Sequence, residues 1–582
     1  MPEYLAPGVY VEETSFRARS IEGVSTSTTA FVGPTRKGPV EGPPVFVSSF
    51  GEFERIFGGF GDLDFGGGPV TNHLAHGVQA YFNNGGARLY VARVFAATAG
   101  DPPDGPEVAQ VDFDRARGLA SSDALGGGDA TGQIRFVARS PGALGNGRVE
   151  IALRTVPATE RARERAPRGS LLRREGDPLQ FFVNGPGGFL NDADPPAAPG
   201  APQDDDVLVT VDLLYRDAEG EEYAYQDLGL APGHPRYIGD VLAREPDRLV
   251  DRLELPVALL LGDAVEPPRL YAMLEGLTAI PLSLSGGGDG NEPTAAAYAD
   301  PLAELARVDE ISIVAAPGYG ALGDRQAIQE ALVGHAETRK AYRIAVLETR
   351  PGILPQEALD DRAVVDSSHA AMYYPWVVVS NPLARPDDAS IPRELHLPPS
   401  SFVCGIFARN DIARSVAKSP GNEVVRGALR FERNIGHAEQ ELLNPRGVNC
   451  LRFFPGRGHR LWGARTASSD PEWKYVGPRR YFLYLEHSID RSTQWAVFEN
   501  NGPRLWADVT EAVSSFLYNE WRSGNLLGAT PEQAYFVRCD RSTMTQNDLD
   551  NGRLICLIGV AVLKPAEFVV FRIGQKTAEA RD

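Results

Sequence analysis

Short apolar runs, cut by Gly, Pro and Asn, punctuate the first hundred positions of the chain. Val9–Glu12 and Thr29–Val32 predict strands, the second closed by Gly33-Pro34. Ser49–Phe57 predicts a short helix ended by Gly58-Gly59, and Asn72–Phe82 a helix stopped by Asn83-Asn84-Gly85-Gly86. Arg88–Val94 alternates as a half-buried strand does. The pattern then changes. Residues 98–130 and 184–206 are rich in Gly, Pro and Asp, and the runs Ile134–Arg139, Arg148–Arg154, Leu179–Val183 and Val207–Tyr215 predict strands. Residues 156–178 carry a run of arginines without apolar periodicity and predict a solvated loop.

From Val308 onward strands and helices alternate. Val308–Ala315 predicts a strand, Asp324–Ala341 a helix, and Tyr342–Glu348 a strand; Val364–Ala370 then leads into the strand Trp376–Val379. A βαβ alternation implies a partly parallel sheet. Beyond about residue 440 the reading is α+β. It comprises a strand at Tyr481–Ser488, a long helix at Leu505–Ser523, and strands at Ala534–Cys539, Arg553–Lys564 and Ala566–Gln575. The fold class is therefore α/β and α+β multidomain: a discontinuous α/β core (23–100 and 286–440), a mostly β insertion (101–285) and an α+β C-terminal region (441–552).

Composition narrows the function. With 582 residues, 43 % hydrophobic and 23 % charged, the chain has room for about three to four domains with ordinary cores. A net charge of −19 lacks the basic footprint of a nucleic-acid binder. The charge is uneven: residues 101–285 hold 18 basic and 31 acidic side chains, whereas residues 445–582 hold 18 basic and 15 acidic. The longest apolar runs, Ala370–Val379 and Leu554–Leu563, are too short to span a bilayer, so no membrane insertion is expected. Met1–Gly8 has neither the basic nor the apolar region of a signal peptide, which suits assembly in the cytoplasm. Cys404, Cys450, Cys539 and Cys556 are widely spaced, so the expectation is four reduced, mostly buried thiols rather than a disulfide framework or a zinc site.

Candidate chemistry is sparse. Gly318-Tyr-Gly320-Ala-Leu-Gly323 fits G-x-G-x-x-G between a strand and a helix, and Glu348 ends the next strand where a ribose-binding acid would stand. Pro317 interrupts the approach, however, and Asp324 places a negative charge where phosphate would bind; an ordinary βα turn is the preferred reading. Walker, zincin and nucleophile-elbow motifs are absent. His73 and His76 supply half of a metal site with no assignable third ligand. Gly286–Asn291 reads as a flexible domain junction without the lysine that an anion cradle would want. No catalytic, cofactor-binding or metal-binding residue is therefore assigned. Phe568-Val-Val-Phe-Arg-Ile573 is apolar on both faces. Such a strand near a terminus needs burial in its own domain or a partner chain to pair with.

Taken in order, several segments resemble the contractile tail sheath family, which includes phage tail sheaths and the sheaths of extracellular contractile injection systems. They begin with Pro7-Gly-Val-Tyr-Val-Glu-Glu13, Thr29-Ala-Phe-Val-Gly-Pro34 and Asn84-Gly-Gly-Ala-Arg-Leu-Tyr-Val-Ala-Arg93. Ser140-Pro-Gly-Ala-Leu-Gly-Asn146 follows, with Leu144 where the family has tryptophan, then Tyr373-Tyr-Pro-Trp376 and Pro398-Pro-Ser-Ser401. The densest set is C-terminal: Leu443-Asn-Pro-Arg-Gly-Val-Asn449, Trp462-Gly-Ala-Arg-Thr466, Tyr475-Val-Gly-Pro-Arg-Arg480, Phe498-Glu-Asn-Asn501, Leu505-Trp506, Val537-Arg-Cys-Asp540, Gly552-Arg-Leu554 and Lys564–Ile573. Little of 101–285 takes part.

The resemblance implies a structural subunit, not an enzyme, needing no cofactor. It implies polymerisation as a helical stack of six-fold rings around an inner tube protein, with baseplate and terminal cap proteins at the ends, in a phage tail or an extracellular tail-like particle. It also implies terminal arms, 1–22 and 553–582, that exchange strands between subunits through Val9, Tyr10, Val11 and Glu12 and through Phe568, Val569, Val570, Phe571, Arg572 and Ile573. The insertion would face outward and the C-terminal domain inward, with Arg504, Asp508, Glu511 and Arg522 as the candidate tube-facing region.

Overall fold

The computed structural model describes residues 20–97, 107–126, 129–176, 178–191, 196–246 and 248–570. Its centre is a nine-stranded sheet in the order Val45–Val47, Leu89–Arg93, Thr29–Gly33, Ile313–Ala315, Ile344–Glu348, Ala370–Tyr374, Val448–Phe454, Gly458–Trp462, Glu423–Val424. The strands from Leu89–Arg93 to Val448–Phe454 run parallel, and antiparallel strands close both edges. Thr29–Gly33, Ile344–Glu348 and Ala370–Tyr374 are buried at every position because helices cover both faces. Phe50–Phe57, His73–Asn83 and Pro399–Ala413 pack on one face through Phe53, Leu74, Val78, Phe402 and Ile406. Ala295–Ala306 and Arg325–Glu337 cover the other through Tyr298, Leu302, Ile328 and Leu332. The hairpin 448–462 extends this sheet, so the division expected at 440/441 cuts through it.

Between the two halves of this core lies an antiparallel sheet in the order Gly188–Leu190, Gln180–Gly185, Leu171–Arg174, Val207–Arg216, Arg148–Pro157, Leu282–Ser283, with Glu222–Leu228 also on Val207–Arg216. Val207–Arg216 alternates in burial as a one-sided antiparallel strand must. The arginine-rich stretch is not the solvated loop its composition suggested. It holds a helix, Glu160–Arg165, N-capped by Thr159, and an inner strand, Leu171–Arg174. Arg163 and Arg174 both converge on the buried Asp206 and share its carboxylate inside the unit. The 286–291 junction is also packed rather than loose. Asn146 and Gly287 exchange hydrogen bonds of 2.8 and 2.9 Å, and the Asp289 carboxylate accepts from Asp64 N and Ala143 N.

The C-terminal unit is built on two long helices, Val476–Ser492 and Pro503–Arg522. The expected strand Tyr481–Ser488 lies inside the first of them, a correction with a clear cause. Val476–Tyr481 are all buried, beyond them Leu483 and Leu485 alternate with more exposed neighbours, and His487 and Ser488 are buried together. A helix enclosed on most sides loses the 3.6-residue polarity that would mark it. The two helices join through Tyr481, Leu485, Val509, Val513 and Phe516, and the strand pair Tyr535–Arg538 with Leu557–Val560 packs against them.

Candidate functional site

The glycine turn that suggested a nucleotide already holds a carboxyl group of the chain itself. Gly318 has φ +96°, which a side chain would strain, and a Cβ there would lie 2.5 Å from that of His73. This conformation turns the N–H groups of Gly318 and Gly320 onto Glu348 Oε1, at 2.8 and 3.1 Å, while the Ser400 hydroxyl donates to Oε2. Burial outweighs the hydrogen bonds from Ser400, Gly320 and Gly318 and holds the Glu348 carboxyl up at about 7. The donors that a pyrophosphate needs are thus spent on a side chain of the core. His73 stands edge-on to Trp376 at 5.2 Å and His76 stacks on Phe60 at 4.7 Å. Among the described residues no group of three or more His, Cys, Asp or Glu is placed to hold a metal.

Both ends of the described chain run to the C-terminal unit. Ile21 packs into its core, Glu22 N and Val24 N donate to Ser492 and Ser488, and Thr26 is held by Asp411 and Arg480. At the other end Leu557–Val560 pairs antiparallel with Tyr535–Arg538, Val562 forms a bridge with Leu526, and the chain then leaves regular structure. The strand expected over Arg553–Lys564 is confined to those four residues. Residues 566–570 form no strand within the single chain.

What holds this segment is Glu567. Arg465 grips its carboxylate bidentately at 2.8 and 2.7 Å, Asn444 Nδ2 donates at 2.7 Å and Tyr475 Oη at 2.9 Å. Burial raises the Glu567 carboxyl, but the donors from Arg465, Asn444 and Tyr475 outweigh it and hold it below the usual glutamate value. Immediately beyond, Phe568, Val569 and Val570 are 73, 68 and 76 % exposed. An apolar triplet thus projects into solvent from a rigid clamp. Sequence reasoning picked out the triplet and missed the clamp. Glu567, Asn444, Arg465 and Tyr475 fall in four separate family-like segments, and only the fold brings them together.

Of the other candidate residues, Val9, Tyr10, Val11, Glu12, Phe571, Arg572 and Ile573 lie outside the described residues. Arg504, Asp508, Glu511 and Arg522 do share one face of Pro503–Arg522, because spacings of four, three and eleven return to the same side of a helix. Arg504, Glu511 and Arg522 are exposed there and Asp508 half-buried, while Leu505, Val509, Val513 and Phe516 face the core. The arginines mark the ends of the face and the acids its first half. Val497 and Phe498, just before this helix, are also exposed, and Phe498 has φ +65°.

Residues 291–467 match the phage tail sheath protein central domain and residues 468–576 the phage tail sheath C-terminal domain. A prophage major tail sheath protein of Pseudomonas aeruginosa is 26 % identical over 267 residues, covering 45 % of this chain and 64 % of that relative. Two solved structures match nearly end to end. The sheath of the PVC extracellular contractile injection system in its contracted state has TM-score 0.53 and 18 % identity, covering 99 % of each chain. The helical sheath of the anti-feeding prophage, also contracted, has TM-score 0.52 and 20 % identity, covering 98 % of this chain and 99 % of that one. Likeness at those identities establishes the shared fold.

Proposed function

The chain belongs to the phage tail sheath family, and from that premise we propose that it is a structural sheath subunit, not an enzyme, which polymerises helically around an inner tube and contracts to drive the tube through a target envelope. In this reading subunits stack as six-fold rings, assembled in the cytoplasm into a phage tail or tail-like particle. The inner tube protein lies inside, with baseplate and terminal cap proteins at the ends. Contraction draws on differences in packing and charge contacts between two lattices, so no nucleotide is needed.

The observation that carries the proposal is the apolar Phe568–Val570 triplet standing exposed beyond the Glu567 clamp. The strand pair that precedes it in the chain is open: among the described residues, Tyr535–Arg538 and Leu557–Val560 pair only with each other. Two strands alone are marginally stable and offer free edges to a third chain. Phe568–Ile573 of one subunit and Val9–Glu12 of another would complete that sheet in a neighbour. A lattice joined this way stays connected while its subunits move.

Deletion of residues 566–582 tests the proposal. Within the described residues it removes the Glu567 contacts and no strand, so monomers should fold with native circular dichroism. Hollow cylinders should vanish from negative-stain micrographs. Cylinders that persist would overturn arm exchange, and global unfolding would assign the segment to the subunit's own core.

A further inference from the structure

Cys539 directly follows the strand Tyr535–Arg538, and Cys556 directly precedes its partner Leu557–Val560. Arg538 and Leu557 are register partners, so one further step along both chains sets Cys539 opposite Cys556. Opposed residues of an antiparallel pair have Cα atoms about 4.5–5.5 Å apart, inside the range of about 4.4–6.8 Å that a disulfide spans. The side chains meet accordingly. Both thiols belong to one small apolar cluster with Trp506, Met544 and Leu549. Both are free, and Cys556 is partly exposed. Cys404 and Cys450 are fully buried in two other clusters, so neither has such a partner.

We infer that Cys539 and Cys556 form a cross-strand dithiol that a small-molecule disulfide oxidant closes into a staple at the root of the C-terminal segment. The thiolate of one cysteine attacks the oxidant, breaking its S–S bond and releasing one small thiolate. The other cysteine's thiolate then attacks the mixed disulfide, forming the Cys539–Cys556 bond and releasing the second small thiolate. Two electrons pass to the oxidant, and the protons of the two protein thiols end on the released thiols or in solvent. The bond encloses residues 540–555, including the helix Gln546–Asp550, and constrains the last strand before the exposed tail. Its value to a sheath rests on the function proposed above; the thiol chemistry does not.

The full-length chain is incubated with oxidised glutathione, quenched, denatured and assayed for free thiols. The count should fall from four to two, and mapping should recover a peptide joined between Cys539 and Cys556. A count that stays at four, a glutathione adduct that never resolves, or a bridge involving Cys404 or Cys450 overturns the inference. Cys539→Ser and Cys556→Ser should each abolish the bridge. Should either fail to fold, the Cys404→Ser/Cys450→Ser double variant isolates the pair, and its two thiols should both disappear. Assembled cylinders, once oxidised, should need more urea to dissociate than reduced ones. A bridge that forms in a chain making no cylinders counts against the sheath reading alone, whereas absence of the bridge counts against this inference alone.

Discussion

Glu348 shows at the scale of one residue why a motif match and a binding site are different things. A carboxyl group bonded to two loop N–H groups gives the turn the same ligand geometry that a phosphate would, without leaving room for one. The cost of burying it is legible in pH. The folded chain keeps a proton on Glu348 up to about pH 7, whereas the unfolded chain releases it near 4.5. The stabilising contribution is therefore complete below pH 4.5 and is lost as pH rises through 7, a span worth about 3 kcal/mol. In Glu348→Gln the side chain cannot ionise, so this part of the pH dependence should disappear. Urea midpoints of the α/β core measured at pH 4.5, 6 and 7.5 check it; equal slopes in wild type and variant would place the titration elsewhere. The sequence foreshadowed half of this arrangement. Pro317 and Asp324 argued against phosphate, but Ser400 stands 52 residues beyond Glu348 and no local pattern links the two.

At the scale of elements, Ile344–Glu348 and its three neighbours toward Leu89–Arg93 were readable as apolar runs, whereas Ala370–Tyr374, just as buried, passed for the approach to Trp376–Val379, and the hairpin 448–462 gave no strand signal. The helix Val476–Ser492 was not readable either, because its surroundings are also closed. Arg480, 4 % exposed, is neutralised by a bidentate pair with Asp411 and donates to Thr26 O as well. Charged letters that look solvated in the sequence are here the bolts joining core, N-terminal segment and C-terminal unit. The arginines that converge on Asp206 misled the reading of 156–178 in the same way. Pro503–Arg522, by contrast, was legible because only one of its faces is covered. Its open face carries the proposed tube contact, and exposed ion pairs are each worth only about 0–1 kcal/mol, weak enough to release on firing. Arg504→Glu with Arg522→Glu should leave the monomer's melting curve unchanged, since both side chains are in solvent, and should reduce co-assembly with the tube protein in a pull-down severalfold. Unchanged capture would move the tube contact to another surface.

At the scale of the whole molecule, the acidic insertion is joined to the core where the chain leaves and returns. Ala96 and Asn291 form an antiparallel bridge, with Asn291 N donating to Ala96 O at 2.9 Å. The two cut ends therefore already touch, and a short linker spans them without strain. The other contacts between the units include one loop, where Arg36 meets Glu219, Lys37 meets Tyr223, Gly38 N meets Ser140 and Arg93 meets Pro141 O, and a second patch where Leu249–Glu254 lies against Phe50–Phe57, with Arg55 paired to Glu254, Arg252 donating to Glu41 O and Leu253 packed on the core. The insertion has its own core around Phe136, Val149, Val211, Leu213 and Leu259, so removing it uncovers the patch beneath Leu253 but leaves the buried residues of the nine-stranded sheet in place. Replacing residues 98–287 with a Gly-Ser linker should thus leave a folded chain. If the insertion decorates the outside of a sheath, the shortened subunit should still form cylinders, and they should be narrower. If it carries lattice contacts instead, the shortened chain should fold and remain monomeric. Circular dichroism establishes the folding and negative-stain diameters decide between the two placements. The clamp at Glu567 and the open strand pair are untouched by the replacement, so a loss of cylinders could not be laid to the arms.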